Sequence, residues 1–551
     1  MLRIALAVLA VLALAGPAAV TAEVTILTAD RIHTMDPASP TATAMAWDES
    51  GRLLAVGDAA SLIARYGQAR RIEVKGSTVI PGLIDAHAHV MGLGFALLRA
   101  DLVGAASKGE VITRLREFER TLLADAWLLG RGWDQNDWPA KDYPTAADLD
   151  AAFPARPVWL ERIDGHAGWA NSAAMRAVQR DLTGDWQPDG GRILRSDGKP
   201  TGVFIDTAVA LIDAAVPPPD APTRAEALAR ALASAASVGL TGVHDMGTSL
   251  EDLGLYRRFA DAGRLTVRIS AYADGDGEAL AALCAMGPYK HASGRLHMSG
   301  VKLYADGALG SRGAALLADY HDEPGQRGLL VTEPAALNAA MVKARDCGVQ
   351  VATHAIGDRA NRMVLDAYAR VQGQGAAERR WRIEHAQIVS LDDIPRFREQ
   401  HVIASMQPIH ATSDGPWVES RVGKAGLPGA YAWRRFIDSG AKLAFGSDFP
   451  VESDDPRLGL YAAITREDLA RKPSGGWLPD QKLTAIEALR GFTSDAAYAA
   501  FAESDVGRLA TGLRADFVVL DGDPLAVAPR AIPDLRIRST WLDGQVVYTA
   551  D

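Results

Sequence analysis

The sequence predicts an α/β protein: a (β/α)8 TIM barrel with a small β-sandwich domain built from both chain ends and a long insertion after the first barrel strand. Three observations lead there. Short apolar runs alternate eight times with longer Ala- and Leu-rich stretches, the pattern of βα units around a parallel sheet. Both ends of the chain carry β-branched residues punctuated by Gly, Asp and Ser. The first and second apolar runs are separated by far more chain than one βα connection needs.

In chain order, "MLRIALAVLAVLALAGPAAVTAEV" comes first. It has one basic residue, Arg3, an apolar run from Ile4 to Leu14, and small residues Val20 and Ala22 ahead of Glu23. This is the pattern of a secretory signal peptide over residues 1–22, to be set aside in fold reasoning. An uncleaved anchor is the alternative, disfavoured because the run is short for a bilayer span. The mature protein is therefore expected in a bacterial periplasm or secreted. "EVTILTAD", "AMAWDES", "GRLLAVGD" and "RIEVKGSTVIPG" read as strands, matched at the other end by "ADFVVLDGDP" and "IRSTWLDGQVVYTA". They assign residues 23–80 and 505–551 to one composite β domain. Residues 81–504 are left for the barrel, with strand candidates near 83–90, 239–247, 265–273, 299–307, 349–358, 380–387, 401–408 and 441–450. The insertion spans about 95–225 and is rich in Trp, Asp and Gly, as in "GRGWDQNDWP" and "DGHAGWANS".

A composition of 48% hydrophobic and 23% charged residues belongs to a soluble globular chain. The net charge of −10, with no basic run, argues against a nucleic-acid partner. The partner expected is a small-molecule substrate; no membrane contact is expected after signal cleavage, and homo-oligomerisation stays open. Cys284 and Cys347 read as buried free thiols, with a single bridge as the alternative that an oxidising compartment permits.

The chemistry begins at "LIDAHAHV". In a strand the side-chain period is two, so His87 and His89 point the same way, and two adjacent imidazoles suit one metal ion. Twelve histidines in 551 residues give about 0.26 such pairs by chance, so the pair alone decides nothing. Position adds weight: His354 in "VATHAIGD", His385 in "RIEHAQ" and Asp448 in "AFGSDFP" end the fifth, sixth and eighth strand candidates. Strand ends converge on the active-site face of a barrel, where a divalent metal satisfies His and carboxylate together. Lys302, in the fourth candidate between apolar neighbours, is a costly buried cation. It either pairs with Asp306 or loses its proton, and a neutral amine takes up CO2 as an anionic carbamate that two cations stabilise.

"PGLIDAHAHV", "VKLYADGALGSRGA", "THAIGDRA", "RIEHAQ", "MQPIH" and "FGSDFPVESDDP" together resemble the metal-dependent amidohydrolase superfamily, in particular its YtcJ-like branch, which includes N-substituted formamide deformylases. The resemblance covers nearly the whole mature chain. It implies that His87, His89 and Asp448 bind one metal, His354 and His385 a second, and that Lys302 bridges them as a carboxylated lysine. Two divalent ions are implied, zinc being typical of the family and compatible with these donors. The implied reaction is hydrolysis of a non-peptide C–N bond of a small amide-like molecule by water activated at the metals. Asp448 then shuttles the proton to the leaving amine, or else serves only as a ligand.

Substrate contacts are sought among His166, Trp169, Trp133 and Asp134 in the insertion, and His410 and Asp414 after the seventh strand. For His166, His244 and His410 a structural hydrogen bond is the plain alternative. Arg312 either binds a substrate carboxylate or caps a helix. Two other functions share the ligand set: the same site acting on an ester or lactone, and a metal-holding binding protein without turnover.

Overall fold

The computed structural model describes residues 23–550 apart from 124–125, 136–137, 164–166 and 189–190; the expected signal peptide lies outside the described residues. Eight parallel strands form the barrel: β1 (Leu83–Ala88), β2 (Leu240–Thr248), β3 (Arg268–Asp274), β4 (Leu296–Tyr304), β5 (Gln350–Ala355), β6 (Arg382–His385), β7 (Ile403–Met406) and β8 (Lys442–Phe445). They are hydrogen-bonded in that sequence order. Each overlaps one of the eight apolar runs. The runs lack polar alternation because helices cover the outer face while side chains fill the interior, so both faces are apolar.

The ring is latched between β1 and β8 at the carboxyl ends of the strands. There the backbone N–H of Asp448 donates to the His87 carbonyl at 2.7 Å and that of His89 to Phe449 at 2.9 Å. Asp85 reinforces the seam by accepting from the Ser447 hydroxyl at 2.6 Å and from the His87 N–H at 3.0 Å. Gly446 is required there: a Cβ would lie 2.4 Å from the His87 nitrogen. The "FGSD" motif is thus partly a closure device, placing Asp448 against His87.

The outer helices follow from capping and periodicity. In Ala221–Ser237, Asp220 accepts from the Thr223 N–H, Pro222 occupies the first turn, and Ala227, Leu228, Ala231, Leu232 and Ala235 form the buried stripe.

Both chain ends build one seven-stranded sheet. Thr41–Trp47 and Ile537–Leu542 are separated by three strands in the sheet order, yet Trp47 meets Trp541 with ring centroids 6.1 Å apart and Phe517 at 5.8 Å. The sheet therefore curls over and packs on itself as a sandwich.

Within the insertion, strands from Ala100–Asp101 to Lys199–Asp206 form a separate six-stranded sheet. Its core corrects the expectation for Trp133, which is fully buried and donates its indole N–H to the Leu160 carbonyl at 2.8 Å. Trp169 and Trp138 pack around it, each with its N–H satisfied by a backbone carbonyl. These tryptophans pack together as the core of the insertion.

Cys284 and Cys347 are also corrected, since they form a disulfide. Cys284 lies in the helix after β3 and Cys347 caps the helix after β4. Neighbouring outer helices bring the two Cα atoms to 5.1 Å, a proximity that a separation of 63 residues does not reveal. The Cys284→Ala/Cys347→Ala variant is expected to lose about 2–4 kcal/mol of stability. Urea unfolding under oxidising conditions checks this, and under full reduction the parent should approach the variant.

Candidate metal centre and active site

The carboxyl ends of β1, β4, β5, β6 and β8 bring His87, His89, Lys302, His354, His385 and Asp448 to one place. His87, His385 and Asp448 form the tightest group, with one donor atom from each within 4.8 Å of the others. His89 Nε2 stands 3.1 Å from Asp448 Oδ1, and Lys302 Nζ 3.2 Å from His87 Nε2. The His354 ring lies 4.5 Å from that of His385, centroid to centroid. His385 and Asp448 both adopt positive φ, 73° and 63°, an uncommon backbone for non-glycine residues that the surrounding barrel holds in place.

Two of the imidazoles, His87 and His385, are aimed by their other nitrogen. His87 Nδ1 meets Glu384 Oε2 at 2.6 Å, and His385 Nδ1 meets Gln407 Oε1 at 2.9 Å. Carboxylate and amide oxygens accept, so both rings carry their proton on Nδ1 and turn the Nε2 lone pair into the cluster. Burial, helped by the Lys302 charge, pushes His87 down to about 4 and His354 down to about 3. Burial and the neighbouring His354 hold His385 well below the usual range. All three are neutral donors. Burial also lowers Lys302 from the ordinary lysine range. For Asp448 burial works upward, yet the carboxyl is held well below the usual value, with His89 Nε2 donating to Oδ1 across 3.1 Å.

Lys302 does not take the ion-pair alternative. Asp306 accepts from the backbone N–H groups of Ala315, Ile356 and Gly357 at 2.8–2.9 Å, tying the loop after β4 to the end of β5.

Beneath the cluster lies a polar network that sequence reasoning missed. Arg382 and Glu384, both fully buried on β6, pair through Nε–Oε1 at 2.7 Å and Nη2–Oε2 at 2.9 Å. Arg382 also donates to His244 Nδ1, the Tyr272 hydroxyl, the Ala86 carbonyl and the Ser405 hydroxyl. His244 is thus a structural acceptor. Two opposite charges two residues apart in "RWRIEHAQ" were the available signal, because a strand turns both to the same face.

A cavity of about 940 Å³ opens above the cluster. His89, Lys302, His354, His385 and Asp448 line its floor, and its walls include Tyr304, Leu309, His410, Asp414, Trp417 and Glu452. His410 and Asp414, expected after the seventh strand, thus line the cavity wall. Arg312 is not: Asp322 and Glu323 hold its guanidinium at 3.0 and 3.1 Å, so it neither caps a helix nor reaches the cavity. His166 lies outside the described residues. Among the described residues the insertion contributes nothing to the cavity lining, which comes from the ends of β1, β4, β5, β6 and β8 and the loops after them and after β7.

Neutral imidazoles and a carboxylate converging at the mouth of a parallel barrel place this chain among the metal-dependent barrel hydrolases. Comparison with known proteins gives the family. Residues 71–548 match the amidohydrolase family model, and the chain belongs to that family. It is 35% identical over 514 residues to YtcJ of Bacillus subtilis, covering 91% of this chain and 95% of that protein. It is 29% identical over 523 residues to N-substituted formamide deformylase of Arthrobacter pascens, with coverages of 90% and 93%. Among solved structures, a metal-dependent hydrolase of Pyrococcus horikoshii superposes with a TM-score of 0.77 at 28% identity, over 92% of this chain and 99% of that one.

Proposed function

We propose that this amidohydrolase cleaves a non-peptide C–N bond of a small amide, with N-substituted formamides as the first class to examine. The observation that carries this reading is the donor cluster on the cavity floor, supported by the formamide-deformylase relative. The donors suit a divalent cation: among the described residues His354 Nε2 is buried without a hydrogen-bond partner, and the Nε2 lone pairs of neutral His87 and His385 converge beside Asp448. His87, His89, His354, His385, Asp448 and Lys302 would hold two such ions, with zinc the first choice for these ligands. Bound divalent cations supply Lewis acidity, polarising a carbonyl and easing proton loss from water.

The chain's own groups do the rest. Glu384 and Gln407 fix His87 and His385 so that neither ring must reorient. Asp448 Oδ1 faces His89 and His87, while Oδ2 is free to take the proton of the attacking water and pass it to the leaving nitrogen, which departs as a neutral amine. Burial lowers Lys302 from the ordinary lysine range; its deprotonated Nζ would add to CO2, the new N–C bond forming as a proton leaves, and the resulting carbamate would offer anionic oxygens to the divalent ions. We also propose export, on the strength of the leader sequence and the disulfide, which an oxidising compartment sustains.

The test is a panel of N-formyl amines, N-acyl amino acids, cyclic amides and esters offered to the mature protein before and after chelation. Amide hydrolysis should disappear with the metal and return with added zinc. Ester turnover exceeding amide turnover across the panel would replace the C–N reading by the ester one.

A further inference from the structure

We infer that His410 is a catalytic residue that donates a hydrogen bond from Nε2 to the carbonyl oxygen of the substrate amide, a role resting on the hydrolase reading above. His410 sits in the first turn of the helix Pro408–Gly426, directly after β7. It is 7% exposed and stacks on His385, with ring planes 16° apart and centroids at 6.2 Å. The ring belongs to the wall of the cavity above the cluster.

The proton's position follows from its neighbour. Gln387 Nε2 lies 3.3 Å from His410 Nδ1. An amide nitrogen only donates, so Nδ1 accepts and Nε2 carries the hydrogen. His410 is therefore the opposite tautomer of His87 and His385: those two present lone pairs to the cluster, whereas His410 presents an N–H. Among the described residues that N–H is buried without a hydrogen-bond partner. Its nearest charged neighbour, Asp448 Oδ2, is 3.9 Å away, beyond hydrogen-bond range.

A buried donor at a cavity wall is completed by what enters the cavity. Of the atoms in an amide, the carbonyl oxygen has the free lone pairs to accept, because the nitrogen lone pair is delocalised. Negative charge grows on that oxygen as water adds, so the bond strengthens on the way to the tetrahedral state. Gln387 is the positioning residue that fixes the tautomer.

The experiment compares wild type, His410→Leu and His410→Gln on 4-nitroformanilide, with metal content, melting temperature and formate affinity measured on each metal-loaded protein. Removing one such donor should lower kcat about 100-fold with KM little changed, and the amide N–H of His410→Gln should recover about tenfold of it. Formate, whose oxygens occupy the same place, should bind about tenfold more weakly to His410→Leu. Unchanged kcat, equal formate affinity in wild type and His410→Leu, or loss of metal from His410→Leu would each overturn the assignment. If wild type turned over no amide at all, the hydrolase reading would fall, and formate binding would still decide whether His410 meets a substrate oxygen.

Discussion

Glu384→Ala is expected to destabilise the protein by about 3–5 kcal/mol, the cost of leaving a buried charge without its partner. Arg382 is fully buried, and among the described residues Glu384 is the only anion bonded to it; its other acceptors, His244, Tyr272, Ala86 and Ser405, are neutral. The pair's mutual attraction offsets the desolvation of both groups, and removing one member leaves the other's penalty uncovered. The Arg382→Met/Glu384→Ala double variant should therefore recover most of the lost stability, as measured by urea unfolding. It should not recover activity. His87 Nδ1 would have lost its 2.6 Å acceptor, and an untethered ring no longer presents Nε2 reliably to the cluster. A fall in metal affinity of about 10–100-fold is expected in both variants, since carboxylates behind ligating histidines contribute about that much. Stability lost and regained with metal affinity low throughout would separate the two duties of Glu384. A loss below about 1 kcal/mol in the single variant would show that water reaches Arg382 and screens it.

The sequence made the barrel legible because burial on both faces turns each strand into an uninterrupted apolar run. The strand-end residues His354, His385 and Asp448 were legible for a related reason: a polar side chain ending such a run has little to do in a core. What stayed hidden depends on contacts between segments far apart in the chain. Arg382 and Glu384 look like ordinary charges until the barrel closes around them. Trp133 and Arg312 resemble substrate contacts because Trp and Arg serve both recognition and structure. Only the packing of Trp133 against Trp138 and Trp169, and the carboxylates of Asp322 and Glu323 around Arg312, reveal which role each has. The Cys284–Cys347 bridge stood only as an alternative in the sequence because it joins two outer helices whose adjacency is a property of barrel closure. His410 could be placed near the site from sequence, but its tautomer depends on Gln387, contributed by a different strand end.

Asp448→Asn is expected to lower kcat by about 10²–10⁴-fold, the span that a positioned acid–base group contributes. The substitution is nearly isosteric, so the backbone latch from the Asp448 N–H to the His87 carbonyl should survive, and with it the closure of the barrel. What disappears is a carboxylate held ionised against the pull of burial. An amide oxygen can still face His89, but it is too weak a base to take a proton from water. It therefore has none to deliver to the departing nitrogen, and an amine leaving as an anion is prohibitively unstable in water. The leaving group gives the sharper measurement. If Asp448 protonates the nitrogen, the penalty of Asp448→Asn should be greatest for alkyl amides, whose amines are most basic. It should be smaller for 4-nitroanilides and smallest for 4-nitrophenyl esters, whose leaving groups depart without help. A penalty equal across that series, with metal content reduced in proportion, would make Asp448 a ligand alone. Retained metal with a steep dependence on leaving-group basicity would fix the proton transfer on Asp448 and exclude a role confined to ligation.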